Sequence, residues 1–342
     1  MTRTADRLRE AITRIDAPDV VLAVSRNGER TMVCGGRADR PDDVRLGLRY
    51  ELGSLTKTFT GLLLAELTEH GVVTLNDPVT RYVSPRAEQA HHTGITLHHL
   101  VTHTSGLPRL PPELLPSAVL FPRRNPYTAY GTAQLLKAFT RTRARRKPGT
   151  AWRYSNFGAA LLGQVLARAT GTPYLDLLRA RVLEPLGLKA STAKPEETPG
   201  DAVGHDRDGT TQVRVTSMGA FAPAASVRTT PGDLLTYLEA HLRPGSGTLG
   251  AALRHASTPQ LRHGRGLRET HTLTWFQHPA TQGPVLFHPG ATFGQQAFAA
   301  LHPASGTALV ALATQHFRTC HLVPVAYDLL HELADDTDRQ LA

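Results

Sequence analysis

Residues 50–71 read YELGSLTKTFTGLLLAELTEHG. From Ser54 to His70 the apolar residues Phe59, Leu63 and Leu67 recur at i, i+4, so the spacing predicts one long helix with a buried face. Gly71 follows as the residue best suited to the left-handed conformation that closes a helix. At the mouth of this helix stand Ser54 and Lys57, one turn apart on one face, so the amine can reach the hydroxyl and take its proton. A helix N-terminus adds unpaired N–H groups and a partial positive charge, which suit a developing oxyanion. The same residues have a plainer meaning, in which Ser54 is an N-cap and Lys57 a solvated cation. A cation in the first turn opposes the helix dipole, which favours the chemical reading. A second Ser-x-x-Lys, Ser191 to Lys194, runs straight into Pro195 and a loop.

Outward from this helix, ADRLREAITRI has helical spacing with Leu8, Ile12 and Ile15 on one side, and VVLAVSRNGERTMVCGG alternates around an Asn-Gly turn. A helix and then a hairpin are expected. Residues 76–224 mix helical stretches (159–169, 174–183) with Pro- and Gly-rich connections. Beyond them the pattern predicts a helix over 231–242, strands around 272–276, 284–288, 296–302 and 307–313, and a closing helix over 322–334. Both chain ends are thus sheet-rich and the middle is helical.

With 342 residues the chain can bury a large core, and it has no repeat and no low-complexity tract. The first thirty residues lack the apolar run of a signal peptide, and no stretch approaches the ~18 apolar residues of a membrane span. A soluble, cytoplasmic chain is expected, without a membrane partner and with Cys34 and Cys320 as two free thiols. The net charge of +9 raises the question of nucleic acid. Its densest basic run is Arg141, Arg143, Arg145, Arg146 and Lys147, beside which there is no zinc finger, recognition helix or set of stacking aromatics. It reads as a solvated surface, with a role at the rim of a site for an anionic donor as the rival reading. His91, His92, His98, His99 and His103 cluster without carboxylate or cysteine partners, so neither a metal nor another cofactor is expected.

Two further signals accompany the first. In PGTAWRYSNFGAALLG, Tyr154 offers a phenol that can share a proton with a lysine, and Asn156 can point at the same place. In VLFHPGATFG, His288 and Gly290 end an apolar strand, where glycine admits a close backbone approach and histidine a tunable proton. Each is weak alone. In this order and spacing, together with LNDPVTRYV, ITLHHLVTHTSGLP and VLEPLGL, the chain resembles the serine β-lactamase and penicillin-binding-protein superfamily. Within it the similarity is to the branch of class C β-lactamases, D-alanyl-D-alanine peptidases and family VIII esterases, and it covers almost the whole chain.

The resemblance implies an α+β sandwich: an antiparallel sheet flanked by helices, built from residues 1–75 and 225–342, with a mostly helical region, 76–224, inserted and the site at the junction. It implies Ser54 as nucleophile, Lys57 as its proton acceptor, Tyr154 as a proton shuttle, Asn156 orienting Lys57 and the acyl side chain, and His288 where many members carry lysine. The backbone N–H groups of Ser54 and Ala291 would form the oxyanion hole, with Gly290, Thr292, Trp152 and Phe293 around the substrate. Trp275 is a further candidate wall. A histidine at 288 is only partly charged at neutral pH, which argues against a site devoted to β-lactam carboxylates. The expected activity is cleavage of a small-molecule ester or amide through an acyl-enzyme on Ser54. A transacylase passing the acyl group to an amine or alcohol shares every one of these residues, and a protein that is acylated without turnover is the non-enzymatic alternative. Which of Lys57 and Tyr154 is the base in each step stays open, because such a pair titrates as a unit.

Overall fold

Strands β1 (Val20–Arg26) and β2 (Glu29–Gly35) form the expected hairpin, and both turn residues, Asn27 and Gly28, take positive φ (53° and 92°). This is a computed structural model that describes residues 3–83, 94–114, 125–267, 269–316 and 319–335. The other strands of the main sheet come from the far end of the chain: β3 (Leu261–His263), β4 (Glu269–His271), β5 (Phe276–Ala280), β6 (Gly283–Ala291), β7 (Gln296–His302) and β8 (Thr307–Ala313). The eight run in the order β2-β1-β8-β7-β6-β5-β4-β3, with every described pairing antiparallel. Val20 lies opposite Ala313, so the first strand is zipped to the last.

Strands β1, β7 and β8 are buried along almost their whole length because both faces of the sheet are covered. On one face Val20, Leu22, Val24, Phe298 and Leu309 pack with Leu8 of α1 (Arg3–Ile12) and Leu329 and Leu333 of α8 (Leu322–Asp335). On the other, Val21, Ala23, Ala299, Val310 and Leu312 join the larger core. At the centre of that core is α2 (Thr56–Glu69), whose residues from Thr56 to Leu67 are all buried, as an apolar helix without a solvent face must be. It ends at Gly71, with φ 69°. Around it are α3 (Leu97–Val101), α4 (Thr132–Arg141), α5 (Asn156–Thr170), α6 (Pro231–Leu242) and α7 (Thr248–Ser257).

Several expectations change in detail. The strand foreseen at 272–276 begins only at Phe276; Thr272 and Trp275 instead close a turn, Thr272 N donating to the Trp275 carbonyl at 2.9 Å. The Trp275 ring is fully buried and stacks on Tyr237, so it is core and not a pocket wall. Strands β3 and β4 escaped the sequence because three residues each show no alternation. Helix α7 escaped because a Gly-Ser-Gly segment leads into it. The helix over 174–183 is α-helical through Leu178 and widens to a π turn at Arg179–Leu183.

Candidate active site

Ser54 sits in a 3-10 turn, Gly53–Leu55, just ahead of α2, and neither the turn nor the helix is capped by a side chain. Its hydroxyl is therefore not an N-cap. Lys57 Nζ lies 3.2 Å from Ser54 Oγ and 2.9 Å from the Ala224 carbonyl. Lys57 is 2% exposed, and burial, then the charge of Arg109, push its amine well below the ordinary lysine range. A buried amine of lowered basicity within hydrogen-bond reach of a serine hydroxyl is the arrangement that general-base chemistry requires.

Tyr154 and Asn156 flank Ser155, the N-cap of α5, whose Oγ accepts from Gly158 N (2.9 Å) and donates to the Pro108 carbonyl (2.7 Å). Lys57 Nζ stands 4.9 Å from the centroid of the Tyr154 ring. Burial pushes the Tyr154 phenol up to about 12, against a hydrogen bond with Ser54 and the charge of Arg109. At neutral pH Tyr154 thus keeps its proton. His103, in the left-handed region (φ 59°), accepts from Ser155 N at 3.3 Å and tilts its ring against Tyr154, centroids 4.6 Å apart. Burial, aided by the nearby charges of His271 and Lys57, holds its pKa well below the usual histidine value.

The third wall is the end of β6. A Cβ on Gly290 would stand 1.9 Å from the Leu52 carbonyl oxygen, and one on Gly53 (φ 49°) would stand 2.3 Å from that of Ala291. The serine turn and the strand end therefore meet backbone to backbone, a contact only glycine permits. Beneath them Glu51, fully buried, accepts from Thr216 N (2.6 Å) and from Thr292 Oγ1 (2.6 Å). Burial holds its carboxyl above the ordinary carboxylate range, with those hydrogen bonds working against the shift. His288 is also buried: Nδ1 lies 2.7 Å from the Pro289 carbonyl, while Nε2 has no partner. Burial first, then the charge of Lys57, lowers its pKa to about 3, so it is neutral at physiological pH.

Ser54, Tyr154, Asn156, His288, Gly290, Ala291, Thr292 and Phe293 line one cleft of about 750 Å³; Lys57 does not line it but reaches Ser54 Oγ from the core. Trp152 is not among the lining residues and instead stacks on His263, centroids 4.4 Å apart. Ser191 bonds Thr229 Oγ1 (2.6 Å) and Asp233 (3.0 Å) instead of Lys194. No residue of the 141–147 basic run lines the cleft. His99 closes the capping box of α3 with Thr96; His91 and His92 lie outside the described residues. Both cysteines are free. No described helix is long and apolar enough to cross a membrane. Sequence reasoning missed Arg109, which lines the cleft, and the supporting roles of Glu51 and His103. Glu51 lies within the quoted YELGS stretch; Arg109 carried no local signal.

Residues 5–325 match the family model described as Beta-lactamase. Over 232 residues, 66% of this chain and 58% of the relative, the sequence is 32% identical to the D-alanyl-D-alanine-carboxypeptidase/endopeptidase AmpH of Escherichia coli. A Beta-lactamase from Pseudomonas fluorescens is 26% identical, the match covering 92% of this chain and 93% of that one. Among solved structures, a class C beta-lactamase in complex with cefoxitin superposes with a TM-score of 0.81 at 25% identity, over 96% of this chain and 98% of that chain. The α+β architecture, with its antiparallel sheet between helical layers, is that of these relatives, and the chain belongs to the beta-lactamase family of serine hydrolases.

Proposed function

We propose that the chain cleaves a small-molecule ester or amide through an acyl-enzyme on Ser54, with water as the acceptor. The observation that carries this reading is the buried amine of Lys57 at 3.2 Å from Ser54 Oγ, its basicity lowered for want of solvation. In the proposed sequence Ser54 Oγ attacks the carbonyl while Lys57 Nζ takes its proton. The N–H groups of Ser54 and Ala291 hold the oxyanion, a role supported by the close packing of their two turns. Tyr154, a protonated phenol beside both groups, donates to the leaving oxygen or nitrogen and is reprotonated from Lys57. Water then attacks the acyl-enzyme as the same pair removes its proton, and Ser54 is released. Asn156, its buried Oδ1 without a protein partner, is free to meet the acyl side chain. In the same reading the site lies where the inserted helical region meets the sheet built from both chain ends.

Intact-protein mass spectrometry with a chromogenic short-chain ester and a cephalosporin tests the mechanism. A transient adduct on Ser54 that water clears is expected, lost in Ser54→Ala and kept in Ser191→Ala. Full turnover by Ser54→Ala would sink the mechanism, and an adduct that waits for an added amine would make the protein a transacylase.

A further inference from the structure

The cleft carries a charge pattern that acyl transfer by itself does not use. Its lining includes two arginines, Arg109 and Arg207, and no aspartate or glutamate among the described residues. The histidine on β6 brings no charge: the contact from Nδ1 to the Pro289 carbonyl places the proton on Nδ1 and leaves Nε2 of His288 a bare acceptor. Fixed positive charge at this cleft therefore comes from loops and not from the sheet. Arg207 sits between Asp206 and Asp208 in sequence, so its turn carries no net positive charge. Arg109 has no such neighbours: its side chain is exposed, and its guanidinium makes no hydrogen bond or ion pair among the described residues.

The backbone of Arg109 is nonetheless firmly held. Its carbonyl accepts from Phe157 N at 3.0 Å, and the preceding Pro108 carbonyl accepts from Ser155 Oγ at 2.7 Å. Gly106 (φ 75°) lets Arg145 N donate to its carbonyl at 2.9 Å, in a space where a Cβ would stand 2.3 Å from the Arg146 carbonyl. The bonds from Phe157 and Ser155 tie the arginine to the turn that carries Tyr154 and Asn156, and the one from Arg145 ties its loop to the segment before that turn. Its charge is felt at Lys57, Tyr154 and Tyr127. A planar fork of donors, anchored at a reaction cleft and left without a carboxylate, matches the geometry of an anion that arrives with the substrate.

We propose that Arg109 is a specificity-determining residue of this site and binds a carboxylate on the acyl part of the donor. The acyl part is assigned because Arg109 is bonded to the same turn as Asn156, which faces the acyl side chain in the reading above; the proposal rests on that reading. The preferred substrates are then half-esters or half-amides of dicarboxylic acids, or acyl groups ending in a carboxylate.

The test compares 4-nitrophenyl hydrogen adipate with its methyl ester, which differ only in that charge, using the full chain. Wild type should favour the acid in kcat/KM by about 10- to 100-fold, mostly through KM. Arg109→Ala should bring the ratio close to one, and Arg109→Lys should retain part of it, with thermal melts confirming that both variants fold. Equal turnover of the two esters by wild type, or a preference that survives Arg109→Ala, would overturn the proposal. So would a charge preference seen only when the carboxylate is on the leaving group, as in 3-acetoxybenzoate against its methyl ester. Absence of any Ser54 adduct by mass spectrometry from all four esters is a separate result, one that overturns the acyl-transfer reading itself.

Discussion

At the scale of single residues, the site depends on groups whose ordinary charges are suppressed by burial. Lys57 is the clearest: its amine has lost its water, and the positive charge of Arg109 acts in the same direction. The rate of Ser54 acylation should therefore rise with pH through a limb well below the ordinary lysine pKa, as the amine sheds its proton. Tyr154, pushed up to about 12, should impose no alkaline loss until far above neutrality. Lys57→Arg, which keeps a cation but cannot serve as a base, should slow acylation by about 100- to 10,000-fold in stopped-flow measurements. His288, with a pKa of about 3, should contribute no inflection between pH 5 and 8. His288→Lys would add a cation near Lys57 and move the acid limb to lower pH; a limb that stays in place would contradict this electrostatic account.

At the scale of elements, the 3-10 turn before α2 and the end of β6 are joined by the absence of side chains. Gly290→Ala would put a methyl group 1.9 Å from the Leu52 carbonyl oxygen, and backbone on both sides would have to move. A stability loss of about 3 kcal/mol by urea titration is expected, with loss of acylation in the protein that still folds. Glu51 adds a polar link between the same elements. Glu51→Ala would leave Thr216 N unpaired in the interior, a further cost of about 1–3 kcal/mol, and would take from Thr292 Oγ1 its acceptor at the edge of the cleft. Gly53, Ser54, Gly290 and Thr292 were all legible in the motifs. Their closeness in space was not, because it follows from β6 pairing with β7 and β5 in one register, which no local pattern states.

At the scale of the whole molecule, burial of histidine predicts acid lability. His103, His241, His271 and His288 are all buried with lowered pKa values, His271 to about 4 and His241 and His288 to about 3. In the unfolded chain each takes up a proton near pH ~6.5, and in the folded chain none does until much lower pH. The unfolded state thus binds more protons over this window, and stability falls as pH falls. Each histidine contributes about 1.4 kcal/mol per pH unit to that slope. Glu51 and Glu66, raised by burial, act in the opposite sense but are outnumbered, since His98, His99, His263, His278 and His302 are lowered as well. The urea midpoint should drop steeply below pH ~6.5, with cooperative unfolding before pH ~4, and His241→Gln should make the slope shallower. A midpoint that stays flat from pH 7 to 5 would refute this.

The sequence by itself determined the hairpin at the start, the buried helix behind Ser54 and the order of the three motifs, because periodicity, turn chemistry and one-turn spacing are local properties of the chain. It also marked the sheet-rich ends, since unbroken apolar strands such as β8 can be satisfied only under helices on both faces. Tertiary structure alone decided the charge states and the neighbours. Lys57 and His288 have lowered pKa values because distant segments bury them; Trp152 left the cleft for His263; the 141–147 run stayed away from it, and Arg109 was brought beside Tyr154 by bonds between loops about fifty residues apart. Solvation and Coulomb interactions act through space, so the protonation and the reach of these groups are fixed by packing and not by order along the chain.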